Sequence, residues 1–247
     1  MTQSNQKNRI KTLLTTQPRG VPIDSHGLAA LGVSSALASH YVKAGWLERL
    51  GRGVFAFPAD ALQREASLKF LESRIPGFHV GGKTALAWRG FSHNLSVGQN
   101  LSLWGDVPAA LPDWFTTRFP AQYVARHLFD NNMPSDYGLQ PLPEFPDGPR
   151  VAVPERALLE MLSEVGLRQS VEEARNLMEG LLRLRADILE CLLSHCSRVK
   201  VTRLCIQWAE ELAMPWATLA RRAAKNLGSA ARWSSRMRDG KTLSLKY

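Results

Sequence analysis

Residues 21–57 read VPIDSHGLAALGVSSALASHYVKAGWLERLGRGVFAF, and this stretch decides the fold. Two short helical patterns meet at a tight turn, and two strand patterns follow around a glycine-flanked arginine. That order predicts a helix-turn-helix with a wing. Pro22 holds Val21 extended. Asp24 or Ser25 is placed to cap a first helix whose apolar positions are Leu28 and Leu31. Gly32 supplies the left-handed residue that ends it, Val33 packs under the corner, and Ser34 caps the second helix. On that helix Leu37, Tyr41 and Ala44 fall at i, i+4 and i+7 on one inward stripe. Ser35, Ser39 and Lys43 line the opposite side, with His40 beside them. Gly45 stops the helix, Trp46–Leu50 and Val54–Phe57 are strands, and Gly51-Arg52-Gly53 is the wing tip.

Short polar and basic side chains of this kind suit base edges and phosphates in a major groove. The DNA-binding candidates are therefore Ser34, Ser35, Ser39, His40, Lys43, Arg49 and Arg52. Lys11, together with Lys7 and Arg9 on a leading helix, adds backbone contacts. The competing reading is a helical hairpin closed by a β-hairpin, with these residues merely solvated.

The chain has 247 residues, enough for such a module and one further domain. An apolar fraction of 45% is that of a globular protein. No run approaches the roughly 18 apolar residues of a membrane span. The polar start MTQSNQKNRIKTLL has no signal-peptide character, which places the protein in the cytoplasm. The net charge of +9 points to a polyanionic partner. Residues 1–60 carry seven Lys/Arg against three acids, residues 61–197 thirteen against sixteen, and residues 198–247 eleven against three. The excess thus sits at the two ends.

Pro58 closes the winged segment. Residues 61–75 predict an amphipathic linking helix, with Asp60 available to cap it. Gly77–Thr84 (GFHVGGKT) matches the phosphate-loop pattern G-x4-G-K-[ST], but no hydrophobic strand precedes it and Phe78, His79 and Val80 look like strand residues. It reads instead as a short strand, a turn, and a helix that starts near Lys83 and ends at Gly90. Leu101 to Trp104, Trp114 to Phe119 and Val151 to Val153 read as strands of a small sheet. From Pro154 the pattern is helical, in four segments of about ten to fifteen residues with short connections.

At the end, Asp239-Gly240 signals a hairpin. Arg232, Ser234, Arg236 and Arg238 share one face of its first strand, and Trp233 and Met237 the other. The arginines form either an anionic-partner surface or a solvated edge that blocks aggregation. Cys191, Cys196 and Cys205 read as reduced core thiols. Cys191 and His195 share a helix face, but two ligands without a second pair do not define a metal site, so none is assigned. No Ser-His-Asp order, H-E-x-x-H or nucleophile elbow is present, and the reading is of a non-enzyme without cofactors.

Several stretches together resemble the AbiEi family of type IV abortive-infection antitoxins. They are YVKAGWLERLGRGVFAFP (41–58), TALAWRGFSHNLS (84–96), VAVPERALLEML (151–162), EEARNLMEGLLRLRADILECLLSHCSRVKVTRLCIQWAE (172–210), and MPWATLARRAAKNLGSAARW with DGKTLSLKY at the end. The resemblance implies a winged helix that binds operator inverted repeats in double-stranded DNA and represses its own two-gene operon. It also implies a C-terminal domain that counteracts a nucleotidyltransferase-like toxin at a shared target, without a stable complex. The basic C-terminal end fits RNA or another anionic target.

The expected architecture is α+β: a winged helix-turn-helix over residues 1–60, then a small mixed β-sheet with a helical bundle over residues 61–247. Two alternatives stay open. One is a stand-alone transcriptional regulator whose C-terminal domain binds an effector. The other is a nucleotide-binding enzyme that uses the Gly77–Thr84 loop.

Overall fold

Local turn chemistry builds the N-terminal part of the chain. The computed structural model of the protein describes residues 3–91, 100–223, 233–236, 240 and 242–245. By packing the chain forms two units, Met1–Arg74 with Ala110–Pro120, and Ile75–Ala109 with Ala121–Tyr247. The first unit begins with α1 (Gln3–Thr16), β1 (Ile23–Asp24), α2 (Ser25–Ala30) and α3 (Ser35–Lys43). It continues with β2 (Glu48–Gly51), β3 (Val54–Ala56) and α4 (Arg64–Glu72).

The Asp24 carboxylate accepts from the Gly27 amide at 2.6 Å and caps α2. Gly32 has φ 77°, a conformation that costs glycine nothing and ends the helix. Ser34 accepts from the Leu37 amide at 3.3 Å and caps α3. Ile10, Leu13, Leu28, Val33, Leu37, Tyr41, Leu47 and Phe55 are among the members of one buried cluster under the helices and the sheet. This is a winged helix-turn-helix.

The first unit departs from the sequence reading in several places. Ala44 is exposed, and Ala38 takes its place on the inward stripe of α3 beside Leu37 and Tyr41. The helix ends at Lys43, so the i+7 position has already left the packed face. The wing has three strands in the order β1-β3-β2, all antiparallel, with Ile23 opposite Phe55. α4 starts at Arg64 after Gln63, with no side-chain cap. Asp60 instead lies 3.4 Å from Arg19.

In the second unit β4 (His79–Val80) leads into α5 (Gly82–Trp88) and β5 (Leu101–Gly105). Residues 110–120 then belong to the first unit and hold α6 (Asp113–Thr116). A strand was expected from Trp114 to Phe119. Instead Pro112 occupies the N-cap of a helical turn that buries both Trp114 and Phe115.

The chain returns to the second unit as β6 (Ala121–Ala125), β7 (Leu139–Gln140) and β8 (Val151–Ala152). The mixed sheet runs β6-β5-β4-β8-β7, with β5–β6 and β4–β8 parallel. The helices α7 (Pro154–Glu164), α8 (Val171–Glu179), α9 (Ala186–Ser194), α10 (Val199–Glu211) and α11 (Ala217–Ala223) form the bundle. An antiparallel hairpin, β9 (Trp233–Arg236) with β10 (Thr242–Leu245), follows. The α+β class and the mixed sheet with its bundle match the expected architecture.

α7 organises this unit. Pro154 starts it, and every residue from Glu155 to Glu164 is buried. Leu158, Leu159 and Leu162 are fully enclosed, each contributing about 1.5–3 kcal/mol of apolar burial. Its buried charges are all answered. Glu155 accepts from the Arg185 amide at 2.7 Å and from its guanidinium at 3.1 and 2.8 Å. Glu160 accepts from His79 Nε2 at 2.8 Å, Arg156 Nε at 2.9 Å and the Gly82 amide at 3.0 Å. Glu164 is held by Arg126 and, at 2.8 Å, by Arg168.

Candidate nucleic-acid interface

The proposed reading surface lies on the first unit, where buried residues fix its orientation. Leu37, Ala38 and Tyr41 anchor α3 in the core, so the other side of the helix faces out. Ser34, Ser35, His40 and Lys43 are exposed there, and Ser39 is half-buried. The first turn of α3 therefore presents two hydroxyls and its last turn two basic side chains.

The wing is held to this helix pair through the main chain. The Ser25 amide donates to the Gly53 carbonyl at 2.9 Å, and the Ser25 hydroxyl approaches the same oxygen at 3.4 Å. Gly53 has φ 70°, and Gly51 pairs with Val54 across a two-residue turn of Arg52 and Gly53. Arg52 is exposed at this tip. Arg49 is also exposed, and its guanidinium lies 5.2 Å from the Phe55 ring centroid. Lys11 is exposed on α1.

Charge compensation is uneven in this unit. Asp24 is bound by Arg74, Glu65 by Arg64 at 2.6 Å, and Glu72 by Lys69 at 3.2 Å. Glu48 lies 3.9 Å from Arg118. Burial works against ionisation of Asp24, but the Gly27 amide and Arg74 outweigh it and hold the carboxyl below its usual range. Lys11, Lys43 and Arg52 make no ion pair among the described residues. The acids of the unit are largely neutralised from within, while Lys43 on the outward helix and Arg52 at the wing tip are left without a neighbouring carboxylate among the described residues.

Trp46 was not singled out in the sequence, where it reads as the first wing strand. It lies instead in the turn after α3, 45% exposed, with its ring stacked on Tyr41 at 6.2 Å and 17° between planes. Its position directly after Gly45, off the inward stripe, is the signal that would have marked it.

The remaining sequence candidates fall elsewhere. Arg232 and Arg238 lie outside the described residues, and Arg236 ends β9. Lys83 of the phosphate-loop pattern is bound to Glu173 at 3.0 Å. Residues 79–80 of that pattern form β4, and the Gly82 amide, where a phosphate oxygen would sit, is taken by the Glu160 carboxylate. His195, which shares a face with Cys191, holds Asp130 through Nδ1 at 3.0 Å. No helix of the described residues is long and apolar enough to cross a membrane.

Two family models together span the chain. The N-terminal domain of the AbiEi antitoxin, transcriptional regulator, matches residues 6–97. The AbiEi antitoxin of the type IV toxin–antitoxin system, transcriptional regulator, matches residues 98–245. No curated protein matches the chain. Among solved structures, the Rv2827c protein from Mycobacterium tuberculosis is similar in fold, with a TM-score of 0.59 at 14% identity. That match covers 94% of this chain and 89% of the other.

Proposed function

The chain belongs to the AbiEi family of transcriptional regulators and type IV antitoxins, and on that premise we propose that it is the repressor of its own operon as well as the antitoxin. Residues 1–60 bind inverted repeats in double-stranded DNA. α3 enters the major groove, with Ser34, Ser35, Ser39 and His40 toward base edges and Lys43 on a phosphate. Arg52 and Arg49 bring the wing onto the backbone, and Lys11 adds a contact from α1. Trp46 sits where it can pack against the sugar–phosphate wall. Residues 61–247 counteract, in the cytoplasm, a nucleotidyltransferase-like toxin at a target the two proteins share, without a stable complex. Arg232, Arg236 and Arg238 give that domain an attraction for RNA or another polyanion.

The single observation that supports the repressor reading is the set of unneutralised cations on one exposed helix and its wing, in a unit whose acids are mostly bound by other cations. The two activities separate in one variant. A full-length Lys43→Ala, Arg52→Ala protein should lose repression of a reporter driven by its upstream DNA, yet still restore growth to cells that make the neighbouring gene's product. Repression equal to wild type would remove the winged helix from the account. Loss of rescue with the fold intact would tie the antitoxin activity to DNA binding.

A further inference from the structure

β5 and β6 are parallel neighbours, so the chain between them crosses over rather than turning straight back. A crossover of this kind ordinarily packs on the face of the sheet whose strands it connects. Here residues 110–120 pack instead with the first unit, and Trp114 and Phe115 are buried at 6% and 0% exposure. The winged unit is therefore built from two stretches of sequence, the second of them lent by the chain of the other unit.

That second stretch meets the wing at the strand that leads to Arg52. A Cβ built on Gly51 would lie 3.5 Å from Trp114 Cδ1 and 4.0 Å from Nε1. The indole thus covers the side of β2 on which a side chain at residue 51 would stand. The same ring meets Phe70 of α4 at 6.0 Å between centroids and 72° between planes. Phe70 in turn carries the Arg74 guanidinium at 4.4 Å, and Arg74 binds Asp24, the cap of α2. Trp114 therefore connects the wing strand to the start of the helix-turn-helix. Arg118 Nη1 donates to the Trp114 carbonyl at 3.0 Å, and the guanidinium stands 3.9 Å from Glu48, the acid of β2.

The wing strands are only two to four residues long. Strands this short hold few ladder bonds, so the position of the tip depends on what packs behind them. Arg52 is bracketed: Ser25 holds the Gly53 carbonyl after it, and Trp114 backs Gly51 before it. We propose that Trp114 is a positioning residue for DNA binding, which fixes β2 so that Arg52 meets the phosphate backbone, and that residues 110–120 are part of the DNA-binding unit. This rests on the operator-binding reading of α3 and the wing.

Fluorescence anisotropy of the full chain on its upstream DNA, as a function of salt, tests this with Arg52→Ala, Trp114→Ala and the double variant. Arg52→Ala should flatten the slope of log K against log salt by about one unit. Trp114→Ala should flatten it by the same amount, and the double variant should lose no more than either single change. A tryptophan that only stabilised the fold would lower the melting temperature, leave the slope of the folded protein as in wild type, and let the Arg52 effect add to its own. Trp114→Phe keeps an aromatic face on Gly51 and should bind close to wild type. Trp114→Leu keeps apolar bulk without the flat face; it should behave as the alanine variant does and covers the case in which that variant does not fold. A wild-type slope in the folded alanine or leucine variant, or additive losses in the double variant, would overturn the role of Trp114 alone. Absence of salt-dependent binding by the wild type would overturn the operator reading, and this inference with it.

Discussion

The amide of Ser25, the first residue of α2, donates to the carbonyl of Gly53 at the wing tip over 2.9 Å. This bond joins the entry of the helix-turn-helix to the hairpin that carries Arg52, so helix and wing are held together as one surface. Gly53 holds the arrangement with φ 70°, and an added Cβ would sit 3.1 Å from Ser25 Oγ. Gly53→Ala should therefore cost about 1–2 kcal/mol of stability and weaken operator binding, read by thermal melting and by gel shift. A wild-type Tm with wild-type affinity would show that the joint does not matter.

Ser34 has two separable duties. It caps α3, and it stands at the end of the helix that the proposed function places in the groove. Ser34→Ala should lower stability by about 0.5–1 kcal/mol. Ser34→Asp should keep the cap and the melting temperature but bring a carboxylate against DNA and weaken binding. If Ser34→Asp binds as wild type does, the first turn of α3 does not face the duplex.

Glu160 is enclosed with Arg156, and each compensates the other. Glu160→Gln leaves the guanidinium without its counter-charge and should destabilise the protein by about 3–5 kcal/mol in urea unfolding. Burial alone would raise the Glu160 pKa. His79, Arg156 and the Gly82 amide reverse this and hold it below 4.5. A carboxyl with a lowered folded pKa contributes stability above its unfolded value and loses it as the pH falls. Wild-type melting temperature should thus decline as the pH drops below about 4.5, and the Gln variant should decline less. Parallel curves would exclude Glu160 as a source of acid sensitivity.

The Gly77–Thr84 pattern makes its own prediction. With Glu160 on the Gly82 amide and Glu173 on Lys83, millimolar ATP with magnesium should leave the melting temperature unchanged. A rise of several degrees would reopen a nucleotide-dependent activity.

What was legible in the sequence was local. Asp24, Gly32, Ser34 and Gly45 each act within three or four residues of their own position, so a linear reading finds the helix-turn-helix and its caps. The glycines of GRG give the wing turn in the same way. The two-residue strand β1 carries no pattern of its own and exists because β3 offers it an edge. α6 was misread because an apolar run such as Trp114-Phe115 has no period to separate helix from strand. The Glu160 cluster was beyond reach altogether, since His79 lies 81 residues away along the chain. Among the candidate site residues, the exposure of Ser35, His40 and Lys43 followed from the stripe opposite them, and that of Arg52 from the glycine turn that carries it. That same stripe overextended to Ala44 and did not reveal that Ser39 is half-buried.

The most direct test of operator binding is a salt titration of affinity for the upstream DNA, by fluorescence anisotropy, with wild type and Lys43→Ala, Arg52→Ala proteins compared. Log K should fall linearly with log salt in both, and the slope of the variant should be shallower by about two units, one for each lost phosphate contact. Identical slopes and affinities would place the DNA, if it binds at all, on some other face of the molecule.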